Sequence, residues 1–526
     1  MKNRLRKLPI DHSSFEIIRE EDMLYVDKTF YIHEMLEEGR YFFMARPRRF
    51  GKSLMVSALK CFFGNRKELF DGLWIAENGD WEWAEYPVIS FDFNEIGHDT
   101  AESFGTDLER NLLLTAQQYD LSLAEPSLKG KFRELVLALR EKTGKPAVIL
   151  IDEYDKPIID HLGKGTEGME TAKANRDILK YFLGTMKGGD TVPHIRFVFI
   201  TGVSKFSRVS IFSDLNNLID ISMNRKYAAM LGYTQEEVEN CFPEYIRELA
   251  EESGLSQSHT LAELRRYYDG YRFSKKKICV YNPFSVLRAF SNLELNNYWF
   301  ETGTPSFLIN LLRERDYNLP SIENLTVSEQ IFSVYELERL NPEALLFQTG
   351  YLTIHDVRGR IFQIGYPNRE VKLSFLESLF YSFAPEDSYS EISRFLLLAE
   401  YLEAEDYNSF FETVNAIFAS LSYTLQTEKN EAYFHTLFYL MVSASGSRVQ
   451  SEVITSRGRI DLTVEFADKI FIMEFKCGHS ADAALKQIHD KGYAEMYAQK
   501  GKKRILMGID FDSQKRNVAE WKTETL

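Results

Sequence analysis

Residues 46–53 read RPRRFGKS, and Gly51, Lys52 and Ser53 fill the last three places of the pattern G-x-x-x-x-G-K-[ST]. That pattern points successive backbone N–H groups, and the positive end of the following helix, at a nucleotide's phosphates. Lys52 neutralises the β/γ oxygens, the Ser53 hydroxyl is a ligand for Mg²⁺, and Gly51 leaves room for the phosphates. Arg46 stands where the opening glycine belongs; that glycine serves the turn more than the chemistry, so its loss is the tolerable one. A second group is PAVILIDEYD, residues 146–155, where an apolar run delivers Asp152 and Glu153 at its end. Asp152 suits the metal's water shell, and Glu153 the attacking water. Read alone, the same run is a strand ending in an acidic turn. Thr201, ending FVFITG at 197–202, either meets the terminal phosphate or is an ordinary strand-ending threonine.

A third group lies near the C-terminus, in GRIDLTVEFADKIFIMEFK, residues 458–476. A turn at Ala467–Asp468, with Phe466 opposite Lys469, makes Asp461 face Glu474 across an antiparallel hairpin, with Lys476 on the same face. A three-residue loop would break that register. Opposed carboxylates repel unless a cation sits between them, and Mg²⁺ favours such hard oxygens. Lys476 then orients a water or stabilises charge developing on phosphorus. Glu452, Gln487 and Tyr493 (placed on one helix with Gln487) are further candidates, and Glu431 and His435 weaker ones. Otherwise the segment is an exposed hairpin with scattered charges. The remaining histidines show no ligand spacing, and no Ser/His/Asp spacing stands out.

Elements must hold these groups in place. The chain has 526 residues, enough for two to four domains. To about residue 225, the runs at 40–45, 86–93, 146–152 and 195–202 read as buried strands alternating with helices, which means a parallel α/β sheet with ligands at the strands' C-terminal ends. From 226 to 425 the pattern is mostly helical. It includes long helices over 234–253, opened by a Thr234–Glu237 capping box, and over 393–421, with loops at 253–259 and 384–390. From 426 to 526 a helix, three strands, a helix and a last strand make a small α/β domain.

Composition bounds the partners. A formal charge of -15 excludes a chain that coats nucleic acid over its whole surface, leaving local basic runs at 46–52, 272–277 and 500–504. Four cysteines without a C-x-x-C pair suit a reducing compartment and give no zinc site. No apolar run is long enough for a signal peptide or a membrane span, so a soluble cytoplasmic protein is expected.

The segments YVDKTFYIHEML (25–36), RPRRFGKSLMVSALK (46–60), VILIDEYDKPI (148–158), 200–222 and LGYTQEEV (231–238) together resemble the AAA-ATPase-like proteins of bacteria and archaea. YDGYRF (268–273), YNPFSVL (281–287) and LLFQTGYLTI (345–354) are similar to that family's helical middle part. The resemblance implies a variant loop that still binds ATP, formed by Arg46, Pro47, Arg48, Arg49, Phe50, Gly51, Lys52 and Ser53, with the three arginines on the phosphate side. No arginine finger stands out. The Asp461, Glu474 and Lys476 arrangement resembles the PD-(D/E)XK nuclease superfamily, with ID where PD is usual, in the form often fused behind that ATPase. Together these imply an ATP-binding and ATP-hydrolysing protein with a C-terminal Mg²⁺-dependent nuclease. DNA is the more usual substrate, nothing separates it from RNA, and the ATP state is expected to control access through the middle region. The alternative is a nucleotide-gated switch whose nuclease-like domain is an inactive docking module.

Overall fold

In the computed structural model the described residues are 5–205, 215, 217–299, 306–314, 317, 319–332, 341–383, 391–420 and 431–526. They form two compact units. The first comprises Met1–Leu311, Thr326–Gln363 and Pro367–Glu370; the second comprises Leu312–Leu325, Ile364–Tyr366 and Val371–Leu526.

The first unit is built on β1 (Tyr41–Ala45), β2 (Val88–Asp92), β3 (Ala147–Asp152), β4 (Ile195–Gly202) and β5 (Ile219–Asp220). These pair in parallel in the order β2-β3-β4-β1-β5. Every residue of β1 and β3 is buried, as expected of central strands covered on both faces. Parallel pairing requires crossovers, and these run through helices such as Lys52–Phe63, Ala101–Gln118 and Leu128–Thr143. The sheet thus carries the ends of β1, β3 and β4 to one edge. β5, only two residues long, escapes sequence reading.

Further along, the expected helix over 234–253 is two helices, Gln235–Cys241 and Pro243–Ser253. Pro243 cannot donate to a continuing helix, so the chain restarts there. Thr234 and Glu237 form both hydrogen bonds of the capping box. The segment expected as a loop at 253–259 already re-enters helix at Gln257, capped by Ser256. These helices and Pro283–Asn292 enclose an aromatic core of Phe242, Tyr268, Tyr281 and Phe290. The middle region is not helical throughout: it contains a small sheet in the order β6-β8-β7, of Leu325–Ser328, Thr353–Arg358 and Ile361–Gly365. The loop read at 384–390 lies outside the described residues.

The second unit carries a mixed sheet, order β13-β12-β11-β10-β9. Its strands are β9 (Arg448–Ile454), β10 (Arg459–Glu465), β11 (Lys469–Cys477), β12 (Lys503–Asp512) and β13 (Asn517–Thr525). Only β11 and β12 are parallel, and helix Ala481–Lys491 makes their crossover. The expected single helix over 480–500 stops at Gly492 and continues as a 3-10 helix from Tyr493, so Gln487 and Tyr493 are on different elements. The helix expected over 393–421 likewise breaks, into Glu391–Ala404 and Tyr407–Ser420, at Glu405 with φ 61°. No described helix is long and apolar enough to cross a membrane.

Candidate functional sites

The segment 46–51 leaves β1 and turns into helix Lys52–Phe63. Gly51 at φ 89° caps it with no side-chain hydrogen bond, so the first-turn N–H groups have no capping acceptor. They open on a cavity of about 410 Å³ lined by Arg48, Arg49, Gly51, Lys52, Ser53, Glu153 and Asp155. The segment Pro9–Ser13, Asn94, Tyr233, Phe284 and Leu287 are among its other lining residues. Sequence reading missed all of these lining residues outside the two motifs; they come from distant stretches that only the fold unites.

Lys52 Nζ lies 3.1 Å from Glu153 Oε1 and donates to the Pro47 carbonyl at 3.2 Å. Ser53 hydrogen-bonds the Asp152 carboxylate, whose pKa is pushed up to about 6 by burial and then by Glu153. Glu153 sits at φ 50° and Arg49 at φ 69°. Left-handed conformations are uncommon for such residues, and strain of this kind gathers at functional sites. Asp152 does not itself line the cavity but is joined to it through Ser53, and with the volume and the unsatisfied N–H groups the Lys52, Ser53, Asp152 set fits a magnesium nucleotide.

Two expected members stand elsewhere. Arg46 is 1 % exposed and turns away from the cavity. Its guanidinium donates to the carbonyls of Ala45, Ser222 and Tyr227 and covers the Phe273 ring at 4.2 Å. The Thr201 hydroxyl donates to the Met44 carbonyl at 2.8 Å within the sheet and does not line the cavity. Phe50 is buried against Tyr271 and Phe273, so it offers backbone only. Asp155, read merely as part of an acidic run, is fully buried and accepts from the backbone N–H groups of Val203 and Ser204 and from the Ser204 hydroxyl.

In the second unit the β10–β11 hairpin closes with Phe466 N–H on the Lys469 carbonyl and pairs Leu462 with Met473, a register that sets Asp461 opposite Glu474. Asp461 Oδ2 accepts from Phe475 N–H at 2.9 Å. Lys476 Nζ stands 3.6 Å from Glu474 Oε1 and donates to the Phe475 carbonyl. Glu474 is 1 % exposed; Gln487 donates to its Oε1, while Oε2 has no hydrogen-bond partner among the described residues. Burial first, and Asp461 second, push the Glu474 pKa up to about 8. A buried carboxylate oxygen without a donor, facing a second carboxylate, is what a hard divalent cation would satisfy.

Tyr493 hydrogen-bonds Gln487, so those two candidates do meet. Glu431, at the start of helix Glu431–Ala444, lies within electrostatic reach of Lys476 and Asp461. Glu452, at φ 55°, pairs instead with Arg459 and lies 3.9 Å from His435. His435 donates through Nε2 to the Asp461 carbonyl. Asp510 was missed: it pairs in register with Lys476 across the parallel β11–β12 ladder and accepts from His479 N–H. Only knowledge of that pairing would have revealed it.

In the other basic runs Lys276 and Lys277 are exposed, while most of the remaining cations are engaged. Arg272 donates to the carbonyls of Ser274, Lys275, Lys276 and His355, while Lys500 and Lys502 pair with Glu465 and Lys503 with Glu405. Among the described residues one histidine does meet carboxylates, His33 with Glu37 and Asp80, on an exposed surface.

Comparison with known proteins covers both regions. Residues 9–212 match a family model described as "Predicted AAA-ATPase", and residues 429–521 match one described as "PD-(D/E)XK nuclease superfamily". An "Uncharacterized protein in vnfD 5'region" of Azotobacter chroococcum mcd 1 is 36 % identical over 533 residues, covering 99 % of each chain. With both motifs in place and this end-to-end likeness, the chain belongs to the predicted AAA-ATPase family, in the form that carries a C-terminal PD-(D/E)XK nuclease superfamily domain.

Proposed function

We propose that the protein binds and hydrolyses ATP in its first unit and cleaves nucleic-acid phosphodiesters with Mg²⁺ in its second, acting in the cytoplasm. The carrying observation is the 3.1 Å approach of Lys52 to Glu153 beside the Ser53–Asp152 hydrogen bond, at the mouth of a cavity of about 410 Å³. Lys52 and the N–H groups of 51–53 would hold the phosphates, Ser53 and Asp152 the magnesium, and Glu153 would orient a water and take its proton. In the second unit Asp461 and Glu474 would hold Mg²⁺, which when bound supplies Lewis acidity, while Lys476 stabilises charge on the phosphate. Its support is the partnerless Oε2 of buried Glu474.

One observation favours the rival reading, a nucleotide switch with an inactive docking module. Most cations of the runs at 272–277 and 500–504 are tied to carbonyls and carboxylates, with Lys276 and Lys277 exposed, which lowers the affinity of these runs for a polyanion. Labelled single- and double-stranded DNA and RNA, incubated with the full chain and Mg²⁺ with and without ATP, separate the two. The proposal requires cleavage by the wild type that is absent in Glu474→Ala. It also requires ATP turnover that Lys52→Ala and Glu153→Gln abolish. Turnover with no cleavage of any substrate establishes the rival.

A further inference from the structure

The loop that should open with glycine opens with a buried arginine, and its non-glycine residues are gripped from outside. Arg46 reaches the carbonyls of Ser222 and Tyr227 and lies on Phe273. Pro47 packs against Gly350, where an added Cβ would come within 2.7 Å of the proline Cβ; at φ 94° that position also disfavours any other residue. The Arg48 carbonyl accepts the Trp299 indole N–H at 3.2 Å. Trp299 is 7 % exposed, its ring 5.2 Å from Tyr351, and its backbone N–H is fixed by Glu370 at 2.7 Å. Phe50 lies edge-on to Tyr271 at 4.7 Å. These anchors come from residues 222–370, beyond the 9–212 stretch that the ATPase family model matches.

From this we infer that Arg46 and Trp299 are positioning residues for the phosphate loop, which takes its shape from the helical part of the same unit rather than from an opening glycine. A glycine loop owes its curve to its own backbone freedom. Here Arg46 cannot supply that freedom, and Arg49 is held at φ 69°, a conformation an unsupported arginine leaves readily. The external carbonyl and indole contacts replace the missing freedom with fixed geometry. Arg46 therefore acts on nucleotide through the loop and touches none itself. The inference rests on the ATP reading of the cavity and identifies which part of the chain governs that site.

The test uses the full chain and four forms: wild type, Arg46→Gly, Arg46→Lys and Trp299→Phe. Arg46→Gly restores the consensus glycine, so a loop that needs only glycine would bind nucleotide as well as the wild type or better. The inference expects the opposite. A fluorescent ATP analogue with Mg²⁺ should bind roughly tenfold more weakly to Arg46→Gly and several-fold more weakly to Trp299→Phe, with Arg46→Lys in between. Trp299→Phe removes the indole N–H together with part of the bicyclic ring, so a modest fall in melting temperature is expected, and the exchange pattern separates loosening of the loop from that lost packing. Without nucleotide, its amides over 48–53 should exchange faster while those of β3 and β4 do not change. Affinities within twofold of wild type in both Arg46→Gly and Trp299→Phe overturn the inference. So does unchanged exchange over 48–53. A wild type that binds no nucleotide would instead remove the ATP reading, and the exchange measurement would still decide whether the two side chains hold the loop.

Discussion

Glu474 shows how a site residue can weaken the fold that holds it. Its Oε2 is buried without a partner, Asp461 repels it, and only Gln487 and Lys476 offset this. Above about pH 8, where the raised Glu474 carboxyl ionises, Glu474→Gln removes the repulsion and adds a donor toward Asp461. We expect it to raise metal-free stability of the second unit by about 1 kcal/mol while abolishing Mg²⁺-dependent cleavage. Thermal melting in EDTA checks the first part and a cleavage assay the second. A drop in melting temperature would mean that the carboxylate is already satisfied.

In the first unit Asp155 sets a pH dependence. Burial, and then Glu153, push its pKa from 3.8 up to about 6, despite the donors at Val203 and Ser204. Between about pH 4 and 6 the folded state therefore holds a proton that the unfolded chain has released. Stability falls as pH rises through that window, and the contribution is fully present only below it. Asp155→Asn should flatten this slope and cost stability at low pH, where its amide replaces a hydroxyl-bearing acid facing N–H donors. Denaturant unfolding at pH 4, 5 and 6 measures both; a slope identical to the wild type's would exclude Asp155 as its source.

At the scale of elements, one glycine decides whether the second site closes. Gly508 pairs with Glu474 across the β11–β12 ladder, and a Cβ there would meet the Ala481 carbonyl at 2.3 Å and Leu485 N at 2.9 Å. Helix Ala481–Lys491 thus lies directly on the strand, which brings Gln487 to Glu474. Gly508→Ala must push the helix off the sheet. Overpacking of this kind costs about 1–3 kcal/mol, and it should weaken Mg²⁺ binding as Gln487 retreats. Calorimetric Mg²⁺ titration of the variant checks it, and wild-type affinity would show that Gln487 does not support the site. Much of this architecture was legible. β1 is apolar throughout, β3 is apolar up to its closing Asp152 and β4 holds the apolar run 197–200, and the hairpin register followed from the length of one turn. β13 was not legible, because an edge strand reading NVAEWKTET buries little and carries charges along its length. The side-chain directions of Arg46 and Thr201 were hidden too. The family resemblance put Arg46 on the phosphate side and residue type left Thr201 open between a phosphate and the strand end, yet carbonyls offered by Ser222 and Met44, which no local pattern reveals, took up their donors.

At the scale of the whole chain, the nuclease-like stretch at 429–521 is part of a larger compact unit. That unit also takes in Leu312–Leu325 and everything from Val371 onward. Glu323 is the anchor of the early segment: it pairs with Lys372, accepts the Tyr439 hydroxyl at 2.8 Å, and accepts Ser451 N–H through its other oxygen. Nearby, the Ser451 hydroxyl donates to the Pro320 carbonyl at 2.9 Å. Tyr439 is fully buried, so removing its carboxylate acceptor leaves the hydroxyl with only Ser443 and Tyr366 as partners among the described residues, and it leaves the Lys372 ammonium without its carboxylate. Glu323→Ala should therefore cost roughly 2–4 kcal/mol in the second unit, although residue 323 lies more than a hundred positions before the nuclease-like segment. Hydrogen exchange localises the effect. Amides of helix Glu431–Ala444 and strand β9 should exchange markedly faster, while those of β1 and β3 keep their wild-type protection. Equal loosening of both sheets would mean that Glu323 serves the whole chain rather than the unit that it anchors.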